Sequence, residues 1–233
     1  MTTATRNTRR SELELYFDRT AVEAWKRLTS DAPVSGIRAQ VRAGRDAMRD
    51  TLLSWLPQDM RGLRVLDAGC GTGALAVEAA RRGADVLAID ISHSLVDMAR
   101  ERAPKDLGAG SITFAVGDML DPALGTFDHV VAMDSLIHYA GEDIAQTLAS
   151  LAQRTRGSMV FTVAPRTPAL TLLWVVGRMF PRSDRAPAIE PIAQSALERH
   201  MGELPQLNGW TIHRSQRVSR SFYISQALEV KRS

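Results

Sequence analysis

The chain has 233 residues, a length that suits one large domain or one domain with a sizeable accessory part. Its net charge of +3 is modest, so the composition does not indicate a nucleic-acid partner. The single cysteine, Cys70, excludes an internal disulfide and is typical of a reducing cytosol. Residues 1–10 are polar and basic, and the longest apolar run, 170–176, is too short to cross a bilayer. We therefore expect a cytoplasmic protein without a signal peptide.

Residues 1–57 are predicted to form a helical cap that precedes the main domain. A basic tail covers 1–10, a first helix covers 12–28, and a second helix runs from about 37 to 56 before Pro57. Four arginines of the second helix recur at spacings of four, three and four, which places them on one face: Arg38, Arg42, Arg45 and Arg49. Such a face is either solvated or binds anions, because guanidinium groups match carboxylates.

The main domain, residues 58–233, is organised around a strand that leads into a glycine-rich turn. Val65 and Leu66 are typical of a short buried strand, and Asp67 follows them. Glycine then occupies every second position from 69 to 73, which lets the backbone turn sharply and approach a ligand closely. A helix is predicted over 74–82, and Gly83 ends it. This order predicts a nucleotide-type site above the carboxyl end of the strand.

Two kinds of ligand suit that turn. Gly69, Gly71 and Ala74 fit the dinucleotide fingerprint, in which a pyrophosphate rests on a helix N-terminus. Asp67 argues against this ligand, because its carboxylate would repel a pyrophosphate. It suits a ligand with cationic groups, such as the ammonium and sulfonium of S-adenosylmethionine (SAM). The stretch 65–73 closely resembles motif I of class I methyltransferases, and we favour this interpretation.

The rest of the domain alternates predicted strands and helices. Strands are predicted at 85–90, 111–116, 127–133 and 158–163, and helices at 92–102, 142–154 and about 194–201. Alternation through short turns predicts a parallel, doubly wound α/β sheet of the Rossmann-like type. Segments 211–218 and 222–230 are predicted to form an antiparallel C-terminal hairpin at one edge, with the turn at 219–221.

Acidic residues also follow the next two strands. Asp90 ends the second strand, 23 positions after Asp67, and with either ligand it is expected to accept hydrogen bonds from ribose hydroxyls. Asp118 follows the third strand. In the methyltransferase class an acid here binds the adenine amino group, and the next side chain, Met119, packs on the ring. Three acids after three successive strands are more specific than one motif, although each alone can be a cap or turn residue.

Residues 164–192 do not belong to the minimal fold. They contain five of the ten prolines, an apolar run and four interleaved arginines, Arg166, Arg178, Arg182 and Arg185. The segment is either a packed connecting helix or an inserted lid over a flat, anionic, largely apolar substrate.

Most of the chain, from about residue 16 to 192, resembles the magnesium-protoporphyrin IX O-methyltransferases of (bacterio)chlorophyll synthesis. The resemblance rests on motif I and on further blocks at 16–18 with Trp25, 41–45, 134–139, 164–168 and 181–187. The outer blocks are the specific part, since many methyltransferases share motif I. One departure is Asp18, where members of the family often have Asn.

The resemblance implies methyl transfer from SAM to one propionate of Mg-protoporphyrin IX, which yields the monomethyl ester and S-adenosylhomocysteine (SAH). A propionate is ionised at neutral pH, so the reaction needs no general base. The main contribution of the protein is then proximity and orientation. The sequence has no compact Ser/His/Asp arrangement and no metal-ligand spacing, so we predict no metal other than the Mg²⁺ that the substrate carries.

The resemblance also implies site residues. His138 is expected to hydrogen-bond the propionate or to ligate the substrate Mg²⁺, and Tyr16 to place its hydroxyl on the carboxylate; each can instead be structural. Arg42 is expected to bind either a propionate or the methionine carboxylate of SAM. The expected cofactor contacts are Asp67, Gly69, Gly71, Asp90, Ile91, Asp118, Met119, Met133 and Arg42. The expected substrate contacts are Phe17, Tyr139, Arg45, Arg166, Arg182 and Arg185.

Two other functions stay open at this point. One is methyl transfer from SAM to another small molecule such as a quinone or a phenol, and a phenol would need a base. The other is a non-catalytic tetrapyrrole carrier, against which motif I and Asp90 argue. The resemblance further implies delivery of substrate by magnesium chelatase. Contact with the photosynthetic membrane is expected through the apolar segment 170–180 and its flanking arginines.

Overall fold

The computed structural model describes residue 18 and residues 36–166, 189–220 and 223–233. Its strands are β1 Arg64–Ala68, β2 Asp85–Asp90, β3 Ser111–Val116, β4 Phe127–Ala132, β5 Thr155–Val163, β6 Trp210–Arg220 and β7 Tyr223–Arg232. The helices of these ranges are α1 Ile37–Ser54, α2 Ala74–Arg81, α3 His93–Arg102, α4 Gly141–Ala152 and α5 Gln194–Gly202. None of these helices combines the length and the apolar composition that a membrane span requires.

The strands form one seven-stranded sheet in the order β3-β2-β1-β4-β5-β7-β6. β1 to β5 pair in parallel, and β7 lies antiparallel between β5 and β6. The predicted doubly wound sheet with an antiparallel C-terminal hairpin is confirmed. The hairpin is longer than predicted, because Ser219 and Arg220 belong to β6 and not to the turn. They continue the antiparallel register opposite Ile224 and Tyr223.

Two clusters of buried apolar side chains cover the two faces of the sheet. One packs α1 and α2 against one face and includes Met48 and Leu52. The other packs α4 and α5 against the opposite face and includes Leu148. Val130 and Val131 belong to different clusters, because successive strand side chains point to opposite faces. Because both faces of the sheet are covered, the strands are held in place. The loops that carry polar residues start from these fixed strand ends.

The start of α3 is fixed by its own sequence. Ser92 is the N-cap residue, and its Oγ accepts a hydrogen bond from the Leu95 backbone N–H at 3.2 Å. This bond satisfies one of the amide groups that a helix N-terminus leaves without an intrahelical partner. Ser92 follows β2 closely, so the cap also fixes the turn after Asp90.

The two ends of the predicted insertion lie side by side. Pro165 and Ile192 form a parallel bridge, and the Ile192 N–H donates to the Ala164 carbonyl at 2.9 Å. The Glu190 N–H donates to the Ile137 carbonyl at 2.9 Å, which ties this stem to the loop after β4. The rest of the insertion and the predicted helix at 12–28, apart from residue 18, lie outside the described residues. The boundary between cap and main domain at residue 57 stays a prediction.

Position 110, just before β3, requires glycine because other backbone segments approach it closely. A substitution can test this requirement. A Cβ at this position would lie 2.7 Å from the carbonyl carbon of Ala80 and 2.8 Å from the carbonyl oxygen of Ala84. We expect Gly110→Ala to lower the free energy of unfolding by about 1 to 3 kcal/mol, because backbone groups cannot move aside cheaply. Urea unfolding measures the change.

The control is Gly202→Ala at the end of α5, where nothing lies within 4 Å of an added Cβ. We expect this substitution to change the free energy of unfolding by less than about 0.5 kcal/mol. Equal unfolding free energies for the two variants would contradict the close approach at Gly110.

Candidate active site

A cavity of about 400 Å³ lies at the carboxyl end of the parallel strands. Its walls come from α1, from the glycine-rich turn after β1, and from the loops after β2, β3 and β4. The volume lies within the range of small-molecule sites. The cavity therefore occupies the position that the glycine-rich turn predicted for a ligand.

The glycine-rich turn is held in place by Asp90. Gly69 and Gly71 have positive φ angles of 79° and 53°, which side chains other than hydrogen rarely allow. Asp90 Oδ2 accepts a hydrogen bond from the Gly71 N–H at 2.8 Å, and Oδ1 accepts one from the Ser92 N–H at 3.0 Å. Burial raises the pKa of Asp90 above its ordinary value, while these bonds oppose the rise. Asp90 and Ile91 both line the cavity.

Asp67 lies at the floor of the cavity, within β1 and not after its end as the sequence suggested. Its side chain is 1% exposed, and within the described ranges its Oδ2 atom has no hydrogen-bond partner. Burial, together with the neighbouring charge of Asp90, raises the pKa of Asp67 to about 7. A buried carboxylate without a full set of partners is costly, so a cationic or hydrogen-bond-donating ligand here is strongly favoured.

The loop after β3 brings the predicted residue Met119 to the cavity, together with Gly117. Asp118 is not among the lining residues. The Asp118 carboxylate accepts a hydrogen bond from the Leu120 N–H at 2.9 Å, as an acid does in a turn. The contact of Asp118 with the adenine amino group stays a prediction.

The arginine face of α1 also lines the cavity. Arg42, Arg45 and Arg49 line the cavity, while Arg38 is exposed and does not. Arg49 pairs with Asp46 at 3.0 Å, yet its buried Nε atom has no hydrogen-bond partner in the described part of the chain. The cavity is thus lined both by a buried carboxylate acceptor and by guanidinium donors. Such an arrangement suits a ligand that carries both cationic and anionic groups.

The loop after β4 brings His138 to the same cavity. Met133, His138 and Tyr139 all line it, and the His138 side chain is only 8% exposed. Ser135 fixes the start of this loop, because its Oγ donates to the Ala68 carbonyl at 3.0 Å. A Cβ on Gly69 would overlap the Ser135 side chain, so the glycine turn and the loop of His138 pack directly together.

Asp134 is a site residue that the sequence interpretation missed. It lines the cavity, and among the described residues it is the one non-glycine residue with a positive φ, 54°. Its carboxylate pairs with Arg45 at 3.3 Å and accepts a hydrogen bond from the Tyr223 hydroxyl at 3.0 Å. The available signal is an acid at the end of a buried strand, the same signal that predicts Asp67, Asp90 and Asp118 at the first three strands.

The remaining predicted residues either lie away from the cavity or are not described. Arg166 is exposed and does not line it. Tyr16, Phe17, Arg182 and Arg185 lie outside the described residues. Asp18 is described, and its Oδ1 accepts hydrogen bonds from Ser92 Oγ at 2.6 Å and from the Ser94 N–H at 3.2 Å. In the part of the chain that the structure describes, no group of His, Cys, Asp or Glu side chains could hold a metal ion.

Comparisons with known proteins identify the type of site. The family described as "Magnesium-protoporphyrin IX methyltransferase C-terminus" matches residues 132–232. A general methyltransferase domain matches residues 65–157. The two matches together span β1 to β7, which includes nearly every element that surrounds the cavity.

Two sequences and one solved structure match over nearly the whole chain. The magnesium-protoporphyrin O-methyltransferase of Rhodobacter capsulatus is 52% identical over 95% of this chain and 96% of its own length. That of Synechocystis is 32% identical over 94% of both chains. The crystal structure of the Synechocystis magnesium protoporphyrin IX methyltransferase with bound SAH has a TM-score of 0.82 at 31% identity. It covers 96% of this chain and 99% of the other. The chain therefore belongs to the family of magnesium-protoporphyrin IX methyltransferases.

Proposed function

We propose that this chain transfers the methyl group of SAM to a propionate carboxylate of Mg-protoporphyrin IX and releases the monomethyl ester and SAH. The observation that carries the proposal is the charge distribution of the cavity. Asp67, buried and with one carboxylate oxygen that has no hydrogen-bond partner among the described residues, lines the same cavity as three arginines of α1. Membership of the family supplies the donor and the acceptor that such a site serves.

The acidic floor suits the donor. SAM carries a sulfonium and an ammonium group, and Asp67 offers a buried carboxylate oxygen to either. Asp90 keeps acceptor capacity for ribose hydroxyls, because its two carboxylate oxygens together can accept about four hydrogen bonds and its backbone donors are those of Gly71, Ile91 and Ser92. Ile91, Met119 and Met133 supply apolar wall for the adenine ring and the thioether chain.

The arginine wall suits anionic groups. Arg42 binds a propionate of the substrate or the methionine carboxylate of SAM, and Arg45 binds the substrate carboxylate. A cavity of about 400 Å³ has room for the donor and a propionate arm. The macrocycle therefore lies across the cavity mouth, and Tyr139, which lines the cavity, is expected to contact it.

His138 orients the acceptor. Its buried side chain lines the cavity in the loop after β4, so it can hydrogen-bond the propionate and direct an oxygen lone pair at the methyl group. The alternative is that it ligates the substrate Mg²⁺. Tyr16 and the arginines of the insertion, Arg182 and Arg185, stay predictions from the resemblance.

The chemistry requires little beyond placement. The carboxylate attacks the methyl carbon as the sulfur–carbon bond breaks, and no proton moves, because a propionate is already ionised at neutral pH. Proximity and orientation can lower the barrier by about 7 to 11 kcal/mol. The attack brings opposite charges together, so the buried site helps by excluding water from both reactants.

Mass spectrometry of reaction products tests the proposal directly. The purified protein is incubated with SAM and either Mg-protoporphyrin IX or its dimethyl ester, which has no free carboxylate. We expect the mass increase of one methyl group, and SAH as co-product, with the first acceptor alone. Methylation of a quinol or phenol instead would favour the alternative acceptor class. A calorimetry experiment that detects no binding of SAM would favour a non-catalytic tetrapyrrole carrier.

Two further proposals concern the surroundings of the enzyme. We propose that magnesium chelatase supplies the substrate and that segment 170–180 contacts the photosynthetic membrane. Both rest on the resemblance and on the apolar, arginine-flanked sequence of that segment, which lies outside the described residues. Co-sedimentation with anionic vesicles, before and after replacing Trp174 with Glu, tests the membrane contact.

Substitution of His138 separates orientation from binding. We expect His138→Ala to lower kcat by about 100-fold, as loss of one positioned hydrogen-bond donor does in other active sites, with a smaller effect on the KM for Mg-protoporphyrin IX. His213→Ala on the exposed side of β6 is the control. Steady-state kinetics measures both, and a wild-type kcat for His138→Ala would remove this role.

The same assay tests the donor side through Asp90. Asp90→Ala removes the acceptor for the Gly71 N–H and for the ribose hydroxyls. We expect the Kd for SAM to rise by about tenfold or more, since each lost bond to a charged group costs about 1.5 to 3 kcal/mol. Calorimetry measures the Kd, and an unchanged value in a folded variant would contradict the ribose contact.

The raised pKa of Asp67 predicts a pH dependence of SAM binding. At about pH 6 most Asp67 carboxyls of the free protein are protonated, because their pKa is about 7. A cation binds the ionised form, so binding releases a proton and the Kd for SAM falls as the pH rises from about 6 to 7.5. Titration calorimetry in two buffers of different ionisation enthalpy measures the released proton.

Asp67→Asn isolates this effect. We expect the variant to bind SAM more weakly and to lose most of the pH dependence, while Asp97→Asn on the exposed side of α3 keeps it. The interpretation would be wrong if Asp67→Asn showed the same pH slope and the same proton release as the wild type.

A further inference from the structure

We infer that Asp134 is a positioning residue: it holds the guanidinium of Arg45 and the loop of His138 in the geometry that receives the substrate carboxylate. This inference rests on the proposed function and deepens it. Asp134 itself touches neither the methyl group nor the attacking oxygen in this scheme. It acts through two residues that line the same cavity.

The backbone of Asp134 indicates a constraint. Its φ of 54° lies in the left-handed region, which is unfavourable for residues with a Cβ but less so for Asp and Asn. Such conformations persist where the surroundings over-determine them, and they are frequent at functional sites. Here the Asp134 N–H donates to the Thr162 hydroxyl at 2.7 Å, which fixes the turn to β5.

The carboxylate of Asp134 joins three elements of the fold. It pairs with Arg45 of α1 at 3.3 Å and accepts a hydrogen bond from Tyr223 of β7 at 3.0 Å. The hydroxyl of Thr162 of β5 lies 3.4 Å from the same carboxylate. The Asp134 side chain is 8% exposed, so these partners stabilise a charge that would be costly to bury alone.

Arg45 gains a fixed orientation from this contact. A guanidinium is planar and carries five N–H donors, so it can bind Asp134 and a ligand carboxylate at the same time. Oδ2 of Asp134 lies 3.3 Å from Nη1 of Arg45, and this ion pair restricts the orientation of the guanidinium. A fixed donor plane lowers the conformational entropy lost when the substrate carboxylate binds.

The loop of His138 starts at Asp134. The left-handed residue turns the chain at the end of β4, and the following Ser135 is bound to the Ala68 carbonyl. The Glu190 N–H then holds the Ile137 carbonyl at 2.9 Å. With both ends of this short loop fixed, the position of the imidazole depends on the turn that Asp134 makes.

Tyr223 supports Asp134 from the C-terminal hairpin. Its ring packs on Gly44, since a Cβ on Gly44 would lie 2.7 Å from Tyr223 Cβ. Burial and the charge of Asp134 raise the pKa of Tyr223 well above its ordinary value. The hydroxyl therefore stays protonated and remains a donor to Asp134 over the working pH range. The hairpin, far from the glycine turn in sequence, thereby acts on the acceptor side of the site.

A double-mutant cycle tests the inference. Asp134→Asn keeps an oxygen for Tyr223 and tolerates the positive φ, but removes the charge that holds Arg45. We expect the KM for Mg-protoporphyrin IX to rise by about tenfold, the Kd for SAM to change by less than about twofold, and the melting temperature to change little. Arg45→Gln is expected to raise the same KM by at least as much.

The coupling between Asp134 and Arg45 decides whether Asp134 acts through Arg45. In the Arg45→Gln background, Asp134→Asn should raise the KM by less than about twofold, because residues that act as a unit are not additive. Tyr223→Phe, the second variant, should raise the KM by about threefold and keep the fold. Asp97→Asn, which removes an exposed carboxylate paired with Arg100, is the control. Equal effects of Asp134→Asn in both backgrounds, or an unchanged KM for Arg45→Gln, would overturn the inference.

Failure of the proposed function has a different signature. A wild-type protein that forms no methyl ester from Mg-protoporphyrin IX refutes the function, and the positioning role falls with it. A wild type that is active while Asp134→Asn and Tyr223→Phe both keep the wild-type KM refutes the positioning role alone.

Discussion

The two hydrogen bonds that Asp90 accepts from the Gly71 and Ser92 N–H groups organise the site. They connect the glycine turn after β1 with the start of α3 through one buried carboxylate. The glycine turn in turn packs against Ser135, so the position of Asp90 also affects the loop that carries His138. One side chain thus links donor and acceptor sides of the cavity. Its carboxylate serves the fold even before any ligand is present.

This arrangement makes the ionised form of Asp67 less favourable. Two buried carboxylates lie close together, and the pKa of Asp67 rises from 3.8 to about 7. The folded state therefore becomes less stable as the pH rises from 3.8 to about 7. In this range the unfolded chain has released the proton of this carboxyl group, whereas the folded chain still holds it. A cationic ligand beside Asp67 reverses the loss. The free energy that the buried Asp67 carboxylate costs the folded protein is therefore recovered when the methyl donor binds.

The fold could be predicted well because its signals are local. Short apolar runs between polar turns predicted β2 and β3 with the bounds that the structure has, and Ser92 marked the start of α3. Contacts distant in sequence were harder to predict. Asp134 and Tyr223 are 89 positions apart, and neither the left-handed turn nor the hydroxyl contact has a sequence signature. Asp118 was assigned to the ligand by its position after β3, yet its carboxylate binds a backbone N–H of its own turn.

Selection of the acceptor follows from what the cavity lacks as much as from what it holds. The arginines of α1 favour an ionised group, and an ionised carboxylate reacts without a base. A phenol would enter the same space but would have to lose a proton first, and two of the cavity carboxylates, Asp90 and Asp134, are engaged in holding the turn and Arg45. Because a cavity of about 400 Å³ has room for the donor and one short arm, recognition of the macrocycle must depend on residues around the cavity mouth. The chemistry of methyl transfer and the recognition of the porphyrin are therefore separate tasks in this fold, and the Arg45–Asp134 pair lies where they meet.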